Sequence, residues 1–88
     1  MKHCILDGEA IGTREQLHEI LQRELELPEW YGRNLDALYD CLTDSHDLIS
    51  IEFQNREALT DHLGRYARAL EQVIRDAAME NEQIEIIE

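Results

Sequence analysis

The chain has 88 residues, 43% of them hydrophobic, and a formal net charge of −12 at pH 7 from 20 acidic against 8 basic residues. That is one small domain, residues 1–88, with enough apolar residues for its own core, although a chain this short buries only about 60–65% of its unfolded surface. The acidity excludes nucleic acid and anionic membrane as partners, since both need a basic surface, and it favours a basic protein; solubility alone is the other reading.

In chain order, Lys2–Leu6 reads as a short strand closed by the turn residues Asp7-Gly8. Thr13 opens a first helix, with Gln16 three residues on completing a capping-box pattern, and Leu17, Ile20, Leu21 and Leu25 form its buried stripe. Pro28, the single proline, is expected to end that helix by pushing Leu27 out of the helical region. Pro28–Arg33 is a loop with two large aromatics, Trp30 and Tyr31, and Asn34 caps a second helix. In that helix Leu35, Leu38, Tyr39 and Leu42 repeat at i, i+3, i+4, i+7, so Asp36 and Asp40 fall on another face, roughly 40° apart.

After the polar break Asp44–Asp47, Leu48–Phe53 reads as a largely apolar strand of the type buried on both faces of a parallel sheet. Asn55 is placed to cap a third helix containing Leu59 and Leu63, which Gly64 terminates. A fourth helix, about Tyr66 to Met79, carries Leu70, Val73, Ile74 and Ala77, and Gln83–Ile87 forms a last strand. Strands joined by helical crossovers are most simply parallel, so the expected fold is α/β, a three-stranded parallel sheet packed with four helices.

Catalytic patterns are missing. His3, His18, His46 and His62 are scattered without metal-ligand spacing, and the four glycines make no phosphate loop. Asp36 and Asp40 alone fall short of a cation site, and Cys41 has no base placed beside it. No enzyme, cofactor or metal is expected. Cys4 and Cys41 read as core or half-buried thiols, not a disulfide framework. Without a signal-peptide pattern or a stretch approaching ~20 apolar residues, the chain is expected to be cytoplasmic.

Two neighbours give the Asp36–Asp40 strip interest. It continues through Thr43 to Asp44, and Trp30 stands in the loop beside it, as aromatic anchors stand beside charge in binding hot spots. A solvated helix face is the alternative for the carboxylates, and a cap on the core is the alternative for Trp30. Tyr31 is expected to pack inward.

The run Leu27-Pro28-Glu29-Trp30-Tyr31-Gly32-Arg33-Asn34-Leu35-Asp36-Ala37-Leu38-Tyr39-Asp40-Cys41-Leu42-Thr43 resembles the core motif of the barstar family, inhibitors of barnase-type ribonucleases. The likeness extends to the opening strand with Asp7-Gly8-Glu9, the Leu17-His18 helix and the last strand, and thins between Asp44 and Tyr66. The resemblance implies a barstar-like fold and an acidic helix and loop that plug the active site of a basic ribonuclease, carboxylates standing in for substrate phosphates. It makes Asp40 the main phosphate mimic and Asp36 a second. Trp30 would pack over the enzyme's catalytic loop, where the family has tyrosine, and Gly32 and Asn34 would shape the loop. Tyr39, Thr43 and Asp44 would flank, with Asp76 and Glu80 contributing from the fourth helix. A monomer is expected when the partner is absent. Departures from the family pattern are Arg33 in place of an acid, Tyr39 in place of tryptophan, and a segment after Thr43 that is one residue shorter. These keep open a second reading, an immunity or regulatory protein of this fold that binds a different basic protein.

Overall fold

Parallel strands cannot be joined by tight hairpins, so each crossover must carry enough chain to travel back along the sheet. The computed structural model, which describes residues 1–88, does this with a pair of helices each time. Its elements are β1 (Lys2–Asp7), α1 (Arg14–Glu24), α2 (Leu35–Thr43), β2 (Ile49–Gln54), α3 (Arg56–Leu63), α4 (Arg65–Glu80) and β3 (Ile84–Ile87). The sheet runs in the order β1-β2-β3, both pairs parallel, with Cys4 opposite Ile51 and Ile51 opposite Ile86. The expected α/β fold, three parallel strands and four helices, is therefore the observed one.

One expectation for the sheet is corrected. The strand expected at Leu48–Phe53 is not covered on both faces. Ile49, Ile51 and Phe53 are buried together with Cys4, Leu6 and Ile84, while Ile5 on the other face is 40% exposed and Glu85 is exposed. Two right-handed crossovers that step the same way across a sheet put all their helices on one side. Ser50, on the open face, is buried between its register partners His3 and Glu85, and Leu48 lies outside the strand, exposed. Strand composition does not reveal on which side the crossovers pass.

The covered face joins one cluster of 18 buried apolar residues, to which α1 brings Leu17 and Leu21, α2 brings Leu38 and Leu42, α3 brings Leu59, and α4 brings Leu70 and Ile74. At the head of α1, the Thr13 hydroxyl accepts the Gln16 N–H at 3.1 Å. Gln16 reaches back one residue beyond the cap, its Oε1 accepting from Gly12 N–H at 2.8 Å. Pro28 does not end this helix, which stops at Glu24, with Leu25 as its C-cap. Glu26 takes a left-handed φ of 51° and the Leu27 N–H bonds to the Gln22 carbonyl at 2.9 Å. This is a Schellman closure with glutamate in glycine's usual place.

Asn55 also departs from expectation. It precedes α3 with φ 52°, and its side chain makes no cap bond. Instead its Nδ2 donates to Asp7 Oδ1 at 2.7 Å, tying the end of β1 to the start of α3. That bond, with the Glu9 N–H, holds the Asp7 carboxyl below the usual carboxylate range. No helix is long and apolar enough to cross a membrane.

The same junction makes Gly8 obligatory: a Cβ there would lie 2.0 Å from the Asn55 carbonyl oxygen and 2.4 Å from the Leu59 nitrogen, both backbone atoms that cannot swing away. Gly8→Ala is expected to destabilise the fold by at least about 3 kcal/mol, the upper end of overpacking costs. Gly12→Ala meets only the flexible end of Gln16 at 3.3 Å and is expected to be tolerated. Urea denaturation of both variants beside the parent checks the contrast.

Candidate functional site

The loop between α1 and α2 is organised by a tyrosine turned inward. Tyr31 is buried, and its hydroxyl lies 2.6 Å from His18 Nδ1. His18 Nε2 lies 2.6 Å from the hydroxyl of Tyr66, on α4. A neutral imidazole donates through one nitrogen and accepts through the other, so it satisfies one tyrosine as donor and the other as acceptor. Burial, with the nearby Arg33 charge second, holds the His18 pKa below its ordinary value, and burial pushes the Tyr31 hydroxyl up.

With Tyr31 inside, its neighbour Trp30 is turned out and is 79% exposed. Trp30 is therefore not a cap on the core. The rest of the loop closes over Gln22, whose Nε2 donates to the Pro28 carbonyl at 3.0 Å. Arg33 returns to the same side chain, its Nε and Nη2 donating to Gln22 Oε1 at 3.1 and 2.9 Å. Asn34 then starts α2 as expected, its Oδ1 accepting the Ala37 N–H at 2.7 Å while its Nδ2 donates to the Gly32 carbonyl at 3.2 Å. Gly32 leaves little room beside it, since an added Cβ would lie 3.1 Å from Asn34 Nδ2.

Along α2 and its C-cap, Asp36, Asp40 and Asp44 are exposed at i, i+4 and i+8. None has a cation within the 4.0 Å of an ion pair. Successive like charges at i, i+4 disfavour a helix, and Asp40 and Asp44 sit at the end where the helix dipole already disfavours negative charge. The helix tolerates them because Leu38 and Leu42 bury its other face and because Asn81, after α4, donates to the Leu42 and Ser45 carbonyls at 2.8 and 3.0 Å.

The ridge divides two grooves. Asp36 and Asn34 line one, with Arg14, His18, Arg33 and Tyr66. Asp40, Asp44 and Trp30 line the other, with Leu27, Pro28, Cys41 and His46. The strip that looks continuous in the sequence thus faces two ways. Tyr39 is half-buried, and Thr43 donates its hydroxyl back to the Tyr39 carbonyl at 2.8 Å. Asp76 and Glu80 are exposed on α4 and line neither groove, Asp76 accepting from Gln72 at 2.9 Å.

Sequence reasoning missed Arg14, His18 and Tyr66. One signal was present: a tyrosine expected to point inward needs a partner for its hydroxyl, and a histidine on the preceding helix can supply one. Burial pushes the Cys4 thiol up to about 12 and also raises Cys41, to which Asp40 and Asp44 add, so both thiols are poor nucleophiles. No group of three or more His, Cys, Asp or Glu side chains is arranged to hold a metal ion.

Comparison with known proteins agrees with this fold. The family model described as "Barstar (barnase inhibitor)" matches residues 1–87. A protein of Bacillus subtilis (strain 168) named "Putative ribonuclease inhibitor YrdF" is 42% identical over 81 residues, covering 91% of this chain and 89% of the relative. The chain belongs to the barstar family.

The His18 link carries a pH dependence whose sign follows from its lowered pKa. Between the folded value and the ordinary value near 6.5, the unfolded chain binds more protons than the folded one. The stability that neutral His18 contributes is therefore complete above about pH 6.5 and is lost as pH falls through the folded value. Melting temperatures measured from pH 7.5 to 5.5 are expected to fall more steeply for the parent than for His18→Gln, which cannot be protonated. Equal slopes would show that the link does not titrate.

Proposed function

We propose that this barstar-family chain inhibits a barnase-like ribonuclease by plugging its active site with α2 and the loop before it. It is an inhibitor and not an enzyme. The observation that carries the mechanism is a helix ridge with carboxylates at Asp36, Asp40 and Asp44, none neutralised within the chain, beside an exposed Trp30. A ribonuclease must hold phosphates with cationic donors, and a carboxylate presents those donors with acceptor oxygens of the same charge sign. Charge-assisted bonds of this kind are among the strong ones, above all where two arginine N–H groups meet one carboxylate.

In this reading Asp40 is the main phosphate mimic, meeting the enzyme's arginines and catalytic histidine, and Asp36 meets further basic groups. Trp30 packs over the catalytic loop, Gly32 and Asn34 hold the inhibitor loop in shape, and Tyr39, Thr43 and Asp44 make flanking contacts. Asp76 and Glu80 extend the acidic surface from α4. Residues 1–88 act as one domain, cytoplasmic and monomeric until the enzyme is met, in the manner of an immunity protein. The net charge of −12 speeds encounter with a basic partner. A second reading, the same fold binding a different basic protein, is favoured by Arg33, a cation in the loop that would meet the enzyme.

Inhibition of a barnase-type ribonuclease is expected at near one-to-one stoichiometry. Asp40→Ala is expected to weaken it at least about 100-fold, because it strands buried cations in the complex. Glu19→Ala, a remote acid on α1, is expected to leave it unchanged. Inhibition constants for the three proteins decide the matter, and equal effects of the two substitutions would sink the role given to Asp40.

A further inference from the structure

The two grooves beside the α2 ridge differ in electrical character. Asp40, Asp44 and Glu26 line the one next to Trp30, along with Asp47, which Lys2 pairs at 3.1 Å, and the surplus of carboxylates suits a cationic enzyme surface. Arg14 and Arg33 line the other. Of the basic residues, Lys2, Arg56 and Arg75 take an in-chain carboxylate, and Arg14 and Arg33, like Arg23, Arg65 and Arg68, do not; what sets Arg14 and Arg33 apart is that they line one groove together.

Neutral groups hold both of these guanidiniums instead. Arg14 Cζ stands 4.2 Å from the centroid of the Tyr66 ring. Arg33 is pinned through Nε and Nη2 to Gln22, which leaves its Nη1 hydrogens without a partner. Their side-chain freedom is restricted before any partner arrives, and no carboxylate makes a direct ion pair with either. Glu15 and Asp36 share the groove but lie beyond ion-pair reach of either arginine. The positive field is felt at the back of the groove, where the Arg33 charge helps to hold His18 neutral.

We propose that this groove receives a carboxylate side chain of the ribonuclease partner, with Arg33 the main specificity determinant and Arg14 its support. The proposal rests on the inhibitory reading above and adds to it. The matching enzyme is not uniformly basic around its active site but carries an acidic residue on the rim that meets the start of α2. Arg33 then discriminates among such enzymes: it attracts one with an acid at that place and repels one with a cation there, as a like-charge juxtaposition does across an interface. The asymmetry of the grooves also fixes orientation, since a partner docked the wrong way round would set its cations against Arg14 and Arg33.

The two possibilities for Arg33 predict effects of opposite sign. Inhibition constants are measured on a barnase-type ribonuclease for the parent, Arg33→Glu, Arg14→Gln and Asp40→Ala, with melting curves to confirm that each variant is folded. Arg33→Glu is expected to weaken inhibition about 10-fold or more, and Arg14→Gln less, in the direction expected when one partner of an interfacial ion pair is removed. Acid-to-lysine changes on the enzyme's rim are expected to include one that restores inhibition by Arg33→Glu, which identifies the carboxylate. Tighter or unchanged inhibition by Arg33→Glu, or the absence of any restoring change, would overturn the proposal. If Arg33→Glu disturbs the loop, Arg14→Gln carries the test alone, and unchanged inhibition there would overturn it equally. Asp40→Ala separates the two levels: weakening there without weakening at Arg33 or Arg14 leaves the inhibitor reading standing and removes only the groove. A parent that inhibits no such enzyme removes both.

Discussion

The hydrogen-bonded line from Tyr31 through His18 to Tyr66 is the constraint on which the functional surface depends. It joins α1 to the loop that follows it and to α4, 48 residues further along the chain, through one imidazole that satisfies two hydroxyls. A buried polar group left without a partner costs about 1–3 kcal/mol, so neither tyrosine leaves this arrangement lightly. Because Tyr31 is held inside, Trp30 is held outside, Arg33 folds back on Gln22, and Asn34 arrives where it can cap α2. The loop that leads into the acidic helix is shaped by an inward tyrosine, while Leu38, Leu42 and Asn81 hold the helix itself.

That helix is electrostatically unfavourable by itself. Three carboxylates follow one another at i, i+4 intervals, the last two at the negative end of the helix dipole, with no cation in reach. Each effect amounts to only a few tenths of a kcal/mol, which apolar burial on the other face readily offsets. The result is a rigid support whose charge is fully available to a partner. Stability comes from the leucines and from Asn81, which leaves the aspartates unengaged within the chain.

Much of this was legible along the chain. Hydrophobic periodicity located all seven elements, because an amphipathic stripe announces itself locally; the bounds shifted by about one residue at β1, β2, α4 and β3, and α1 ended at Glu24, short of Pro28. Thr13, Asn34 and Gly64 performed the capping and terminating roles that their chemistry suggests. The failures were local signals overruled by distant partners. Asn55 gave its side chain to Asp7 instead of to its own helix, and α1 closed at Glu26 before Pro28 could act. Strand composition suggested a sheet covered on both faces, but the side on which a crossover passes is a property of topology and not of any one strand.

The sequence by itself determined the α/β class, the number and order of elements, the exposed carboxylates on α2 and the loop that precedes them, since each depends on neighbours within a few residues. Only the tertiary structure decided that Trp30 faces solvent, that Asp36 and Asp40 look into different grooves, and that Arg14, Arg33 and Tyr66 meet beside one of them. Those outcomes depend on contacts between separate elements, and the buried imidazole among them was one of four histidines, marked only by an inward tyrosine in need of a hydroxyl partner. Its role exists only once α1 and α4 are brought together over the sheet.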